Sequence, residues 1–216
     1  MKPKIMALLC VASVLSLFAK AQDEKEEKEK GFKKENLFTG GSVTASFYSG
    51  VTVLGISPVF GYKLAEWTDA GLVFNLNYTS IRDYRQFDDK LKQTVKGVGA
   101  FTRLYPVNFL FAQAQFEKNY TTQRYIPAPN SSLSQPVYKV NSNSLLVGAG
   151  YTQGRQHGSN TFFYLAILFD VLKEQYSPYV DVAIDPNTGY RSIRAIPIIR
   201  GGVNIGLFEG RRYRDR

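Results

Sequence analysis

Cysteine, histidine and long apolar runs are what this sequence has least of, and each shortage closes off a class of function. The one cysteine, Cys10, lies in an N-terminal apolar run. That run reads as a cleavable export signal: Lys2 and Lys4 lead, Ile5 to Phe18 is apolar, and Ala19-Lys20-Ala21 supplies a small-x-small cleavage site. Lipidation at Cys10 is the alternative, but the bulky Leu9 precedes it and the apolar run continues past it. Cleavage after Ala21 leaves a mature chain without a thiol, so disulfides are excluded as its stabilising device. The one histidine is His157, and without a second histidine or a cysteine no transition-metal site is expected, nor any cofactor. After Phe18 no stretch of about 18 apolar residues occurs, which excludes a transmembrane helix from the mature chain.

Charge is similarly uninformative about the obvious partner. The formal charge is +9, and it falls to +6 when Lys2, Lys4 and Lys20 leave with the signal. A basic chain invites a nucleic-acid reading. Export argues against it, and the lysines and arginines are scattered, densest only in the terminal "RRYRDR". Residues 22–36, "QDEKEEKEKGFKKEN", mix both signs without apolar periodicity and read as a solvated leader.

What the chain has in abundance is alternation with a period of two. "NFLFAQAQFEKNY" sets Leu110, Ala112, Ala114 and Phe116 on one side of an extended chain and Gln113, Gln115 and Glu117 on the other. "AGLVFNLNYTS" does the same with Leu72, Phe74, Leu76 and Tyr78 against Asn75 and Asn77. Eight such segments of about ten residues follow one another, the length a tilted strand needs to cross a bilayer. After the first, their connections alternate between tight turns ("AEWTD", "PVN", "GRQHGSN") and long polar loops, at about 80–93, 119–143 and 174–193. A soluble sandwich has no reason to lengthen every second connection, whereas outer-membrane barrels have short periplasmic turns and long extracellular loops. The amides of the first segment are therefore expected to face inward and its apolar residues to face lipid.

On "ISPVFGYKL", "GAFTRLYP" and "LFAQAQFE", with the strand and loop pattern around them, the chain resembles the small outer-membrane β-barrels of the OmpA/OmpX-like class, more closely the porin-family barrels frequent in Bacteroidota. The resemblance covers about Leu37 to Phe208. It implies an all-β fold, an eight-stranded antiparallel transmembrane up-and-down β-barrel, in the cell outer membrane. The organisation expected is a signal peptide at 1–21, a charged periplasmic leader at 22–36, the barrel at 37–208 and a basic tail at 209–216. Outer-membrane lipid and lipopolysaccharide, the barrel-insertion machinery and an extracellular or envelope partner are the implied contacts. The fold alternative is a soluble lipocalin-like barrel.

Function divides three ways. The class mixes structural anchors, adhesins, small channels and lipid enzymes, and fold alone does not choose among them. Inward parity assembles Arg103, Gln113, Gln115, Glu117, Asp170, Arg200 and Asn204 into a polar interior network, in which Asp170 and Arg200, on the last two strands, could pair. A barrel of eight strands is just wide enough to be filled by side chains, so a plugged structural or surface-interaction protein is the first reading. A narrow channel gated by that pair is the second. A lipid A-modifying enzyme would need His157, which falls in a turn on the wrong side for an outer-leaflet substrate. Lys96, Lys118 and Lys173 fall on the lipid-facing parity at strand ends, where they would hold lipopolysaccharide phosphates or merely snorkel. Trp67, Tyr105, Phe109, Tyr151 and Phe208 read as an aromatic interface girdle.

Overall fold

The computed structural model describes residues 32–208 except 49, 85–86, 130, 132–134, 157–158, 185–188 and 190. The segments expected to be an export signal and a basic tail, most of the expected leader, and His157 lie outside the described residues. A single 3₁₀ turn, Lys34–Asn36, precedes ten strands: β1 (Leu37–Tyr48), β2 (Val51–Ala65), β3 (Thr68–Arg82), β4 (Lys90–Val107), β5 (Leu110–Ile126), β6 (Val137–Gln153), β7 (Phe162–Asp170), β8 (Val180–Ile184), β9 (Arg191–Ala195) and β10 (Ile198–Gly206). Eight of them close into a barrel in the order β1-β10-β7-β6-β5-β4-β3-β2, each neighbour antiparallel, while β8 and β9 pair only with each other. Closure between β1 and β10 runs from Phe38 opposite Gly206 to Val43 opposite Gly201, which leaves the barrel no free edge.

Period-two alternation decides which residues enter the barrel. Along β7, Phe162, Tyr164, Ala166, Leu168 and Asp170 are buried, while Phe163 and Leu165 are 67% and 53% exposed on the outer surface. β5 repeats the pattern, with Phe111, Gln113, Gln115, Glu117, Asn119 and Thr121 buried and Leu110 and Phe116 exposed. The interior is narrow, and glycine makes room for its larger side chains. A Cβ on Gly202 would lie 2.6 Å from the Tyr164 ring, so that ring occupies the volume a side chain at 202 would need.

The connections sort to the two ends. One end carries 66–67, 108–109 and 154–161; the other carries 49–50, 83–89, 127–136 and 171–197. Two of the expected long loops are shorter than the sequence suggested, because strands take up their flanks. β4, β5 and β6 run to 18, 17 and 17 residues, against 9 each for β7 and β10. Their outer parts mix threonine, tyrosine, glutamine, asparagine and basic residues with isolated valine, leucine and isoleucine, without a sustained apolar period. Such residues pair well in a ladder but leave no hydrophobic period to read. The last connection contains a hairpin of its own, with β8 and β9 in register from Val180 opposite Ala195 to Ile184 opposite Arg191.

Candidate functional site

A hydrogen-bonded ladder runs up the inner face of β5. Residues two apart on a strand share a face, so Gln113, Gln115 and Glu117 stack along one line inside the barrel. Arg103 donates from Nε to Gln113 Oε1 (2.9 Å), Gln113 donates to Gln115 Oε1 (2.7 Å), and Gln115 donates in turn to Glu117 Oε1. Arg103 also reaches Asn204 Oδ1 across the barrel at 3.2 Å. Its guanidinium lies 4.4 Å from the Tyr164 ring centroid and 4.9 and 5.3 Å from those of Phe101 and Phe111, so π-faces stabilise its charge together with the buried Asp69 opposite it on β3.

Glu117 is the hub of this network. It is fully buried, and Arg200 approaches its Oε1 at 3.2 Å while the Tyr179 hydroxyl donates to its Oε2 at 2.8 Å. Tyr179 belongs to the 171–197 connection, which dips into the barrel mouth. Burial first, and the Glu117 carboxylate second, hold its hydroxyl well above the ordinary tyrosine pKa, so it stays a donor.

The Asp170–Arg200 pair that the sequence allows does not form. Arg200 stands opposite Ala166 in the β7–β10 register, four residues down β7 from Asp170, and meets Glu117 instead. Asp170 accepts from the Ser177 hydroxyl (2.6 Å) and from the backbone N–H groups of Leu145 and Leu172. Since the Ser177 proton is committed to Asp170, Ser144 must donate to Ser177 Oγ (3.0 Å), and the Tyr179 N–H donates there as well. Asn119 completes the cluster by donating to Ser144 Oγ. Asp170 therefore anchors the inserted segment while Glu117 receives its tyrosine.

Two further tyrosine–aspartate pairs bracket the interior. Tyr105 donates to Asp69 Oδ2 toward the short-turn end and Tyr125 to Asp89 Oδ2 toward the long-loop end, each at 2.8 Å. Tyr105 is thus corrected from the girdle to the interior. It shares the inward parity of Phe101 and Arg103, and Arg155 covers its ring at 3.8 Å. Trp67, Phe109, Tyr151 and Phe208 are exposed, and the Phe109 and Tyr151 rings sit 6.4 Å apart.

Lys96 and Lys118 are exposed on the outer surface, Lys96 opposite Tyr120 and Lys118 opposite Val98. Lys173 is corrected from strand end to connection: β7 stops at Asp170, and Lys173 turns the chain with φ +51°. Alternation along the strands puts Arg103, Gln113, Gln115, Glu117, Asp170, Arg200 and Asn204 on the buried side. It carried no signal for Tyr179 and Ser177, which enter from an aperiodic loop, and the network beyond Glu117 was hidden because 119–143 read as loop.

The two carboxylates at the centre of the network are saturated. Every carboxylate oxygen of Glu117 and Asp170 has a donor, and a cavity between Ser42, Ser57, Gln113, Gln115 and Arg200 measures about 10 Å³, room for a single water. Asn75, Thr121, Ser142, Asn119 Oδ1 and Asn204 Nδ2 present buried polar atoms without a protein partner, and these are places where the interior can accept water. Among the described residues no group of three or more histidine, cysteine, aspartate or glutamate side chains is placed to hold a metal ion.

No protein-family model and no curated protein matches the chain. Among solved structures, the crystal structure of Neisserial surface protein A is similar over 79% of this chain and 94% of that one, at 11% identity and a TM-score of 0.40, a likeness of fold outline that carries no functional weight.

Proposed function

We propose that this chain is an integral outer-membrane barrel with a plugged interior, non-enzymatic, acting as a structural or surface-interaction protein through its long-loop end. The observation that carries the reading is the inversion of the barrel's two faces. Leu72, Phe74, Leu76, Phe116, Phe163, Leu165, Ile167, Ile199 and Ile205 are all 46–67% exposed on the outside, while Arg103, Gln115, Glu117, Asp170, Arg200 and Asn204 are buried within. A soluble protein does not expose so large an apolar surface, and lipid is the solvent that suits it. The exposed Trp67, Phe109 and Tyr151 near the short-turn end fit the periplasmic interface, with the long-loop end extracellular. Lys96 and Lys118, flanked by Leu76, Val98 and Phe116, would meet lipopolysaccharide phosphates at the opposite interface. The densely hydrogen-bonded interior favours this reading over a resting open channel.

Envelope fractionation tests the location. The protein is expected to stay with outer membranes through alkaline extraction and to dissolve only in detergent. Recovery in the soluble fraction would return it to the lipocalin-like alternative.

A further inference from the structure

The geometry points to a docking wall for a linear acidic polysaccharide on the outer face of β3–β6, above the apolar belt. This inference rests on the membrane reading for which part of the barrel projects from the bilayer. A strand crosses with roughly nine to eleven residues. β4, β5 and β6 are longer, and the excess lies toward the 83–89 and 127–136 connections.

The cross-strand register sorts the outward side chains of this projection into rows. Leu76, Lys96, Tyr120 and Asn141 form the first, at the belt edge where Lys96 also faces the lipid interface; Tyr78, Thr94, Thr122 and Lys139 form the second, Ser80, Lys92, Arg124 and Val137 the third, and Arg82, Lys90 and Ile126 the last. Each row carries at least one cation, and no outward position in any of them carries a carboxylate. Rows are separated by about 6.7 Å along the strands, so the six cations span about 20 Å.

Folding does not account for this arrangement. Lys92 stands directly opposite Arg124, and Arg82 directly opposite Lys90, where like charges destabilise a sheet. Among the described residues the ion pairs are Lys63–Glu66 and Arg200–Glu117, and none of the six wall cations takes part in one. Of the carboxylates of 83–89, Asp83 accepts from the Asp88 N–H and Asp89 from the Tyr84 N–H and the Tyr125 hydroxyl, while the exposed Asp88 lies in the turn beyond the last row. A strip of cations in successive rows, none of them in an ion pair among the described residues, complements a chain that bears an anionic group every sugar or two. Tyr78 and Tyr120, both exposed within it, add faces on which sugar rings can rest.

The test is binding of a fluorescent heparin fragment to the full chain in zwitterionic detergent micelles and in zwitterionic vesicles. Micelle binding reads the wall itself; insertion into the vesicles reads the membrane proposal, so the two can fail separately. The intact protein is expected to bind, and Arg82→Gln/Lys90→Gln/Lys92→Gln/Arg124→Gln to bind at least about tenfold more weakly, as expected when several steering charges are removed. Lys92→Arg should bind as the intact protein does, as should Lys33→Gln/Lys34→Gln near the opposite end. The fourfold variant is expected to melt no lower than the intact protein, because opposed cations have been removed. If it fails to fold, Lys139→Gln and Lys92→Gln singly supply the comparison, each weakening binding by a smaller factor. Equal binding by the folded variants, or no binding by the intact protein, would overturn the proposal. Binding only to vesicles containing a phosphorylated glycolipid would also overturn it, assigning the wall to the lipid leaflet.

Discussion

At the residue scale the interior depends on Glu117. It is fully buried and is shared by Gln115, Arg200 and Tyr179. Removing one member of a buried ion pair strands the other, at about 3–5 kcal/mol, so Glu117→Leu should lower unfolding stability by that order in urea titrations from micelles. Arg200→Met should cost less than Glu117→Leu, because Tyr179 and Gln115 still satisfy the carboxylate. A double-mutant cycle between Glu117→Gln and Arg200→Met should show coupling of about 1 kcal/mol or more, whereas Asp170→Asn with Arg200→Met should be additive to within about 0.5 kcal/mol. Strong coupling in the second cycle would restore the pairing that the sequence allows. That pairing fails for a geometric reason. Parity places Asp170 and Arg200 inside on neighbouring strands, but only the register shows them separated by about 13 Å along the strand direction. Tyr179→Phe should cost about 2 kcal/mol, the loss of a hydrogen bond to a charged acceptor.

At the element scale, strand number, order and facing were legible because apolar and polar residues alternate through the part of each strand that bears the belt. The outer halves of β4–β6 were not, since polar residues occupy both of their faces there and hydrogen-bonded pairing needs no apolar period. This boundary predicts a contrast. Phe116→Lys, within the belt, should cost about 2–4 kcal/mol in vesicles, while Tyr120→Lys, four residues further along β5, should cost about 1 kcal/mol or less. Equal costs at both positions, read by urea unfolding of the inserted protein, would contradict the assignment of the belt edge. The β8–β9 hairpin pairs with no barrel strand. Replacing 180–195 with a short Gly-Ser link, keeping Ser177 and Tyr179, should leave the heat-modifiable gel mobility of the folded barrel unchanged.

At the scale of the whole molecule, the proposed function joins an apolar exterior to a densely hydrogen-bonded interior, and a barrel of that kind is one that lipid can surround and solutes cannot readily enter. The ladder on β5 holds the middle, the segment ending at Tyr179 closes the mouth, and the tyrosine–aspartate pairs bracket both. What such a molecule offers to partners is then its outer surface and its long-loop end. The polar interior was foreseeable from alternation; its closure by Ser177 and Tyr179 was not, because nothing in an aperiodic loop says where it will fold back. The most direct measurement is single-channel current from the mature chain in planar lipid bilayers, using protein shown by protease protection to be inserted. A barrel closed in this way should give no steady discrete openings, and neither Lys96→Gln nor Lys118→Gln should change that. Steady openings from the intact protein would contradict the account and make the Glu117, Arg200 and Tyr179 cluster a gate.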